Sequence, residues 1–142
     1  MLQAAIFTIA LAALQAPAQV PEGNRIRLLI VDGQNNHDWP RATRILKGIL
    51  ESSGRFTVEV STTPFTNAPG DGSDRWRPDF KKYGVVLSNF NGGYRANGVH
   101  WPREVEKALE DYVGNGGGLV IYHAANIAWK NAARSDGGTL SV

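Results

Sequence analysis

A run of branched apolar residues constrains the fold more than any other feature of the chain. From Ile26 to Val31 the sequence reads Ile-Arg-Leu-Leu-Ile-Val, and the run stops at Asp32-Gly33. A short, almost continuous apolar run is typical of a parallel strand that helices cover on both faces. The run therefore predicts an α/β fold with an open parallel sheet.

The residues that follow alternate between helical and extended patterns. Apolar residues recur at helical spacing from Trp39 to Ser53, with Asp38 as the N-cap and Gly54 as the terminator. Pro102 opens a second helix, which ends at the glycines of 114–118. The stripes expected to face the sheet are Ala42, Ile45, Leu46, Ile49 and Leu50 in the first helix and Val105, Leu109, Tyr112 and Val113 in the second.

Three further strands are predicted, at Phe56–Val60, Tyr83–Leu87 and Leu119–Tyr122, with a loop over Thr62–Pro78. Right-handed crossovers between these elements imply an open parallel sheet, for which we consider the strand order 2-1-3-4. Sheets of this class usually have five or more strands, so the domain over residues 26–142 is expected to be partial and truncated after the fourth strand. Its exposed edge strand would make the domain prone to aggregation and only marginally stable.

Charge and cysteine content exclude several functions. The 142 residues contain 15 Lys and Arg against 13 Asp and Glu, a net charge of +2, and the basic residues are spread along the chain. We therefore expect no nucleic-acid partner. The chain has no Cys, which excludes nucleophilic cysteine chemistry.

The amino-terminal segment resembles a secretory signal. Ile6–Leu14 is an apolar core, and Ala16-Pro17-Ala18 supplies the small residues of a cleavage site. The apolar stretch is shorter than the roughly 20 residues that a spanning helix needs, so no stable membrane span is expected. We predict a signal peptide over 1–18, a linker over 19–25, and export to the periplasm or the medium. A buried amino-terminal helix and a retained membrane anchor are the alternatives, because no Lys or Arg precedes the apolar core.

Polar residues follow three of the predicted strands directly. They occupy 32–39, 88–93 and 123–126, and the first and last of these segments contain His37 and His123. Ligands of open parallel sheets bind beyond the carboxyl ends of the strands. In the order 2-1-3-4, the first and fourth strands lie about 10 Å apart, so the two histidines can converge on one small ligand.

The two histidines have several chemical interpretations. Imidazole exchanges protons near neutral pH and also binds metals, so His37 and His123 are candidates for proton transfer or for a divalent metal such as Zn²⁺. Asp32 or Asp38 could complete a metal site, but the spacing of these residues matches no known metal motif. A purely structural, hydrogen-bonded role is the alternative for both histidines, and it is the interpretation we adopt for His100.

The other polar residues suit a ligand that is rich in hydroxyl groups. A side-chain amide both donates and accepts hydrogen bonds, which fits sugar hydroxyls, and an aromatic ring can stack on a sugar face. The alternatives are turn formation by the asparagines and a packing role for the tryptophan. The predicted substrate-binding residues are Asp32, Asn36, Trp39, Asn89 and Asn91.

These segments also resemble a known family. Val31–Trp39, Val85–Asn89 and Tyr112–Ala125 are similar to the ThuA-like (trehalose utilisation) domains, which belong to the class I glutamine amidotransferase-like superfamily. The resemblance covers about residues 26–126 and implies a flavodoxin-like fold without glutamine hydrolysis. It also implies that His123 occupies the place of the nucleophilic Cys of the amidotransferases.

The resemblance suggests a substrate class more than a reaction. It implies metabolism of trehalose or keto-disaccharides by an exported protein, with a hydrolase-like or isomerase-like activity in the full-length form. Family domains continue well beyond the His-Ala-Ala segment at 123–125, so the resemblance also implies that this chain is an amino-terminal part. A non-catalytic sugar-binding or assembly module, an inactive fragment and a homo-oligomer stay open as alternatives.

Overall fold

The fold alternates strands and helices, as the sequence predicts. The computed structural model describes residues 20–64, 72, 75–92 and 100–128. Short 3-10 turns at Glu22–Asn24, Phe80–Lys82 and His123–Ile127 complete the described elements. The strands are β1 (Ile26–Asp32), β2 (Phe56–Thr62), β3 (Val85–Ser88) and β4 (Gly118–Ile121), and the helices are α1 (Trp39–Ser52) and α2 (Arg103–Gly114).

Several predictions fall outside these ranges. The predicted signal peptide at 1–18, most of the predicted loop at 62–78 and the tail from 129 to 142 lie outside the described residues. The predicted linker at 19–25 is described from residue 20 and contains the first 3-10 turn. Within the described ranges, no helix has the length and apolar character that crossing a membrane requires.

The four strands form one parallel sheet in the order β2-β1-β3-β4. This is the strand order that was considered from the sequence. β1 pairs with β2 along its whole length, up to Asp32 opposite Thr62, and β3 ends with Ser88 opposite Ile121 of β4. Because all strands run in one direction, their carboxyl ends lie at one edge of the sheet, which we call the carboxyl edge.

Helices cover both faces of the sheet, which confirms the predicted layers. Alternate residues of β1 face opposite sides, so Leu28 and Ile30 pack in one apolar cluster and Leu29 and Val31 in another. Leu46 and Leu50 of α1 pack against the first cluster, which also contains Val58 and Leu87. The second cluster contains Val86, Val105, Leu109 and Tyr112 together with the aromatic side chains of Phe80, Phe90 and Trp101.

Parts of the predicted helix stripes are wrong. Ile45 and Ile49 are 51% and 61% exposed, and Val113 is 39% exposed. Leu46 and Leu50 make the apolar contact of α1 with the sheet, so Ile45 and Ile49 lie on a flank that the described elements leave uncovered. Periodicity identifies an apolar face, but another element must pack on that face to bury all of it.

Several strand boundaries also differ from the prediction by one or two residues. β2 continues two residues beyond Val60, because its pairing with β1 extends to Asp32. Tyr83 precedes β3 instead of beginning it, since its N–H closes the 3-10 turn on the carbonyl of Phe80 at 3.0 Å. The register then starts at Val85, opposite Leu28.

Candidate functional site

The rings of His37 and His123 are in contact at the carboxyl edge of the sheet. Their centroids lie 4.6 Å apart, and the ring planes are nearly perpendicular at 88°. His37 belongs to the loop between β1 and α1, and His123 begins the turn after β4. Both residues are exposed, so a ligand from solvent can reach the pair.

The backbone of His37 is fixed by its neighbours in the loop. Its N–H donates to the side-chain Oδ1 of Asn35 at 3.0 Å, and its carbonyl accepts from the N–H of Trp39 at 2.8 Å. Asp38 then caps α1, because its carboxylate accepts from the N–H of Arg41 at 3.1 Å. This confirms the predicted N-cap, and it ties the position of His37 to the start of the helix.

His123 has an uncommon backbone conformation. Its φ of +49° makes it the one non-glycine residue with positive φ in the described part of the chain. A side chain at positive φ is sterically strained, so the surroundings must hold it there, and such residues cluster at functional sites. On one side the N–H of Tyr122 donates to the carbonyl of Ser88, and on the other the N–H of Ala125 donates to the carbonyl of Tyr122.

Asn89 joins the loop that carries His37 to β3. Its side chain is 1% exposed, and its Nδ2 donates to Oγ1 of Thr43 at 3.2 Å and to the carbonyl of Trp39 at 3.4 Å. Nδ2 of Asn35 in turn donates to both the carbonyl and the side-chain Oδ1 of Asn89, at 3.1 and 3.2 Å. The polar atoms of the Asn89 side chain are therefore engaged inside the protein.

Asn91 makes a second connection between the same two loops. It is 3% exposed, its N–H donates to the carbonyl of Gln34, and its Nδ2 donates to Oδ1 of Asn36. Asn36 itself is exposed. Of these predicted substrate-binding asparagines, Asn36 is thus the one at the surface, while Asn89 and Asn91 lie beneath it.

Three buried polar side chains lie at the strand ends. Asp32, Thr63 and Ser88 are each no more than 2% exposed. Within the described residues, Oδ1 of Asp32, Oγ1 of Thr63 and Oγ of Ser88 have no hydrogen-bond partner. Buried polar groups are normally paired, so an unpaired set at one edge of a sheet is uncommon. Asp32, a predicted substrate-binding residue, belongs to this layer below the surface.

Two aromatic side chains accompany the histidine pair. Tyr122 is 39% exposed, and its ring centroid lies 6.3 Å from that of His123. Trp39 is half-buried at the start of α1. Sequence reasoning missed Tyr122, although its place directly before His123 at a strand end was a usable signal. It also missed Thr43, since the partner of Asn89 depends on the distance between α1 and β3.

The other candidate groups lie apart from the pair. The described residues contain no group of three or more His, Asp or Glu side chains that could hold a metal. His100 is half-buried before α2 and makes no ring contact with either of the other histidines. A surface groove at the opposite edge of the sheet is lined by Lys81, Tyr83 and Asp111, and it contains none of the predicted site residues.

Comparison with known proteins agrees with this fold. The chain is similar to the crystal structure, at 1.75 Å resolution, of a protein from Parabacteroides merdae named ThuA-like, with 40% sequence identity and a TM-score of 0.62. The similarity covers 72% of this chain and 33% of that chain, so this chain spans about a third of the length of that relative. No family model and no curated protein matches the sequence. The identity and the shared sheet confirm the predicted resemblance, and the chain belongs to the ThuA-like family.

Proposed function

We propose that the carboxyl edge of the sheet binds a small sugar and acts on it, with His37 and His123 as the reactive groups. The observation that supports this most is the 4.6 Å contact between two exposed imidazoles beyond the strand ends, where open parallel sheets bind ligands. The name of the ThuA-like family refers to trehalose utilisation. This name favours trehalose or a keto-disaccharide as the ligand.

The residues around the pair have two different roles in this proposal. Asn36 and Tyr122 are exposed and Trp39 is half-buried, so the three supply an amide and two aromatic rings for a ligand with both hydroxyl and apolar surfaces. Asp32, Asn89 and Asn91 lie beneath them and support the loops. The imidazoles act on an oxygen of the sugar by moving a proton.

Ligand titration followed by NMR tests this proposal. Trehalose and its keto derivative are added to the full chain in the presence of a metal chelator, and the ring resonances of the three histidines are followed. Selective shifts at His37 and His123, with His100 unchanged, are the expected result. Equal shifts at all three rings, or no shift at any concentration, would refute sugar binding at this site. Loss of binding in Trp39→Ala, with retention in the groove variant Tyr83→Phe, would assign the ligand to this edge.

Sugar binding without turnover is the second candidate function. It is favoured by the composition of the given sequence, which contains no Cys to act as a nucleophile. Product analysis after incubation with the keto-disaccharide separates the two candidates. Binding without product supports a binding module, and product that disappears in His123→Asn supports catalysis.

We also propose that the chain is exported. The apolar core at Ile6–Leu14 and the small residues at Ala16-Pro17-Ala18 support this. Mass spectrometry of the full chain after expression in a secreting host tests the proposal. A mature form that begins after Ala18 is expected, whereas an intact amino terminus in the cytoplasmic fraction would contradict export.

A further inference from the structure

We infer that His37 and His123 form a two-imidazole binding site for a divalent transition-metal ion. A metal about 2.0–2.1 Å from one nitrogen of each ring lies about 3.2 Å from each ring centroid. The two centroids are then about 4.5 Å apart when the bonds meet at a right angle, and about 5.2 Å apart at the tetrahedral angle. The observed separation of 4.6 Å lies inside this interval.

The ring nitrogens are available to a metal. Among the described residues, neither imidazole has a hydrogen-bond partner, and both side chains are exposed. Perpendicular ring planes are compatible with a shared ion, because a metal on the line where the two planes intersect lies in the plane of each ring. The Cβ–Cγ bond of His is a soft torsion, so each ring can turn to direct one nitrogen at a shared ion.

The two ligands are held close together before the metal arrives. The backbone of His37 is fixed by Asn35 and Trp39, and that of His123 by the end of β4 and its 3-10 turn. Binding therefore orders little more than two ring torsions, so its entropic cost is small. The ligands come from loops that follow β1 and β4, which are separated by β3, and a bound ion would cross-link the two loops.

The ligand set also predicts which ions bind. Two neutral nitrogen donors without a third protein ligand favour Cu²⁺, and then Ni²⁺ and Zn²⁺, over Mg²⁺ or Ca²⁺, which prefer oxygen ligands. Water would complete the coordination, because the described residues provide no third His, Asp or Glu in the group. The site is consequently one with open positions and differs from a closed structural zinc site.

Calorimetric titration of the untagged full chain with Cu²⁺, Ni²⁺, Zn²⁺ and Mg²⁺, without any sugar, tests this inference. One Cu²⁺ per chain is expected, with weaker Ni²⁺ and Zn²⁺ binding and none for Mg²⁺. His37→Ala and His123→Asn are each expected to weaken Cu²⁺ binding about tenfold or more, because one ligand of the chelating pair is lost. Asn is chosen at position 123 because it tolerates the positive φ of +49° better than Ala.

His100→Ala is the matched control, since it removes the third histidine and leaves the pair intact. Unchanged affinity in this variant, together with weakened affinity in the other two, supports the site. Absence of binding to the wild-type chain, or an equal loss in all three variants, overturns it. Circular dichroism of each variant verifies that the fold is retained. Because no sugar is present here and the sugar titration contains a chelator, either proposal can fail while the other stands.

Discussion

The side-chain amide of Asn89 donates a hydrogen bond to Oγ1 of Thr43 at 3.2 Å, joining the end of β3 to the first turns of α1. The same amide group reaches the carbonyl of Trp39, and the Asn89 oxygen atoms accept from Asn35. The loop that carries His37 lies between Asn35 and Trp39. Asn89 therefore holds both ends of this loop and positions the imidazole without touching it.

Replacement of Asn89 by Ala tests this positioning role. The change removes the donor to Oγ1 of Thr43 and the side-chain acceptor of the Asn35 amide, which keeps its bond to the carbonyl of residue 89. We expect the free energy of unfolding to fall by about 1–3 kcal/mol. We also expect nuclear Overhauser contacts between the rings of His37 and His123 to weaken, because the loop is released. Denaturant unfolding and NMR measure the two effects.

Asn115→Ala is the control for this variant. Asn115 is exposed beyond α2, and its amide donates to the carbonyl of Asp111 at the opposite edge of the sheet. The control should leave the ring contact between the two histidines intact. If Asn89→Ala also leaves it intact while lowering stability, Asn89 is a core residue with no influence on the site.

Gly33 is required by two independent features of the backbone. Its φ is +134°, a conformation that side chains rarely adopt, and a Cβ at this position would lie 1.9 Å from Oγ1 of Thr63. We expect Gly33→Ala to lower the free energy of unfolding by about 2–4 kcal/mol, through backbone strain and overpacking. Thermal and denaturant unfolding measure this change.

Gly48→Ala is expected to have the opposite effect on the free energy of unfolding. Gly48 lies inside α1, and a Cβ there would have no atom within 4 Å. Alanine in a helix interior is more favourable than glycine, so a gain of about 0.5–1 kcal/mol is expected. The Gly33 prediction would be wrong if Gly33→Ala were as stable as the wild type. Such a result would mean that the turn after β1 rearranges without loss of unfolding free energy.

The sheet could be predicted because local patterns permit few topologies. The apolar run at Ile26–Val31 requires cover on both faces, and the two helices with the strands around them supply that cover through right-handed crossovers. The carboxyl ends of β1 and β4 then had to share an edge, which is why proximity of His37 and His123 was predictable. The ThuA-like membership followed from the motifs at those same strand ends.

The details that decide the chemistry of the site depend on tertiary geometry. No local pattern fixes the positive φ of His123, which results from contacts of β4 with Ser88 and from the turn after it. The partner of Asn89 could not be predicted, because it depends on the position of α1 relative to β3. Likewise, the exposure of Ile49 depends on which elements pack against α1, and a helical period contains no information about its neighbours.

An exposed ion-pair network makes part of the stability dependent on pH. The carboxylate of Glu59 accepts hydrogen bonds from Arg27 and from Tyr83, both at 2.8 Å. The bond from Arg27, followed by that from Tyr83, lowers the pKa of Glu59 below its ordinary value of 4.5. A pKa that is lower in the folded state contributes stability above pH 4.5, and this contribution is lost as the pH falls through the lowered pKa.

We therefore expect Glu59→Gln to be less stable than the wild type at neutral pH and equally stable at a pH below that lowered pKa. Denaturant unfolding at several pH values measures the difference, which should shrink in high salt because the pair is exposed. Glu22→Gln, a change in an exposed carboxylate of the first 3-10 turn, controls for the loss of one negative charge. A stability difference that is constant across the pH range would contradict the assignment to Glu59.

β4 is an edge strand with exposed apolar residues. It pairs with β3, and no other strand of the described ranges pairs with its far side. Val120 and Ile121, whose side chains face opposite sides of the sheet, are 46% and 38% exposed. An unpaired edge strand with apolar side chains is a template for pairing with another chain. This is the physical reason for expecting self-association, and for considering a homo-oligomer.

Val120→Lys tests whether this edge causes self-association. We expect the wild-type chain to form larger species as its concentration rises in sedimentation velocity, and the lysine variant to stay monomeric at the same concentrations, because a charge on an edge strand opposes pairing. Val113→Lys is the matched control, since Val113 is 39% exposed on α2 and has no unpaired strand beside it. An equal reduction in both variants would assign association to general apolar exposure, and a wild-type chain that stays monomeric would rule out association through β4.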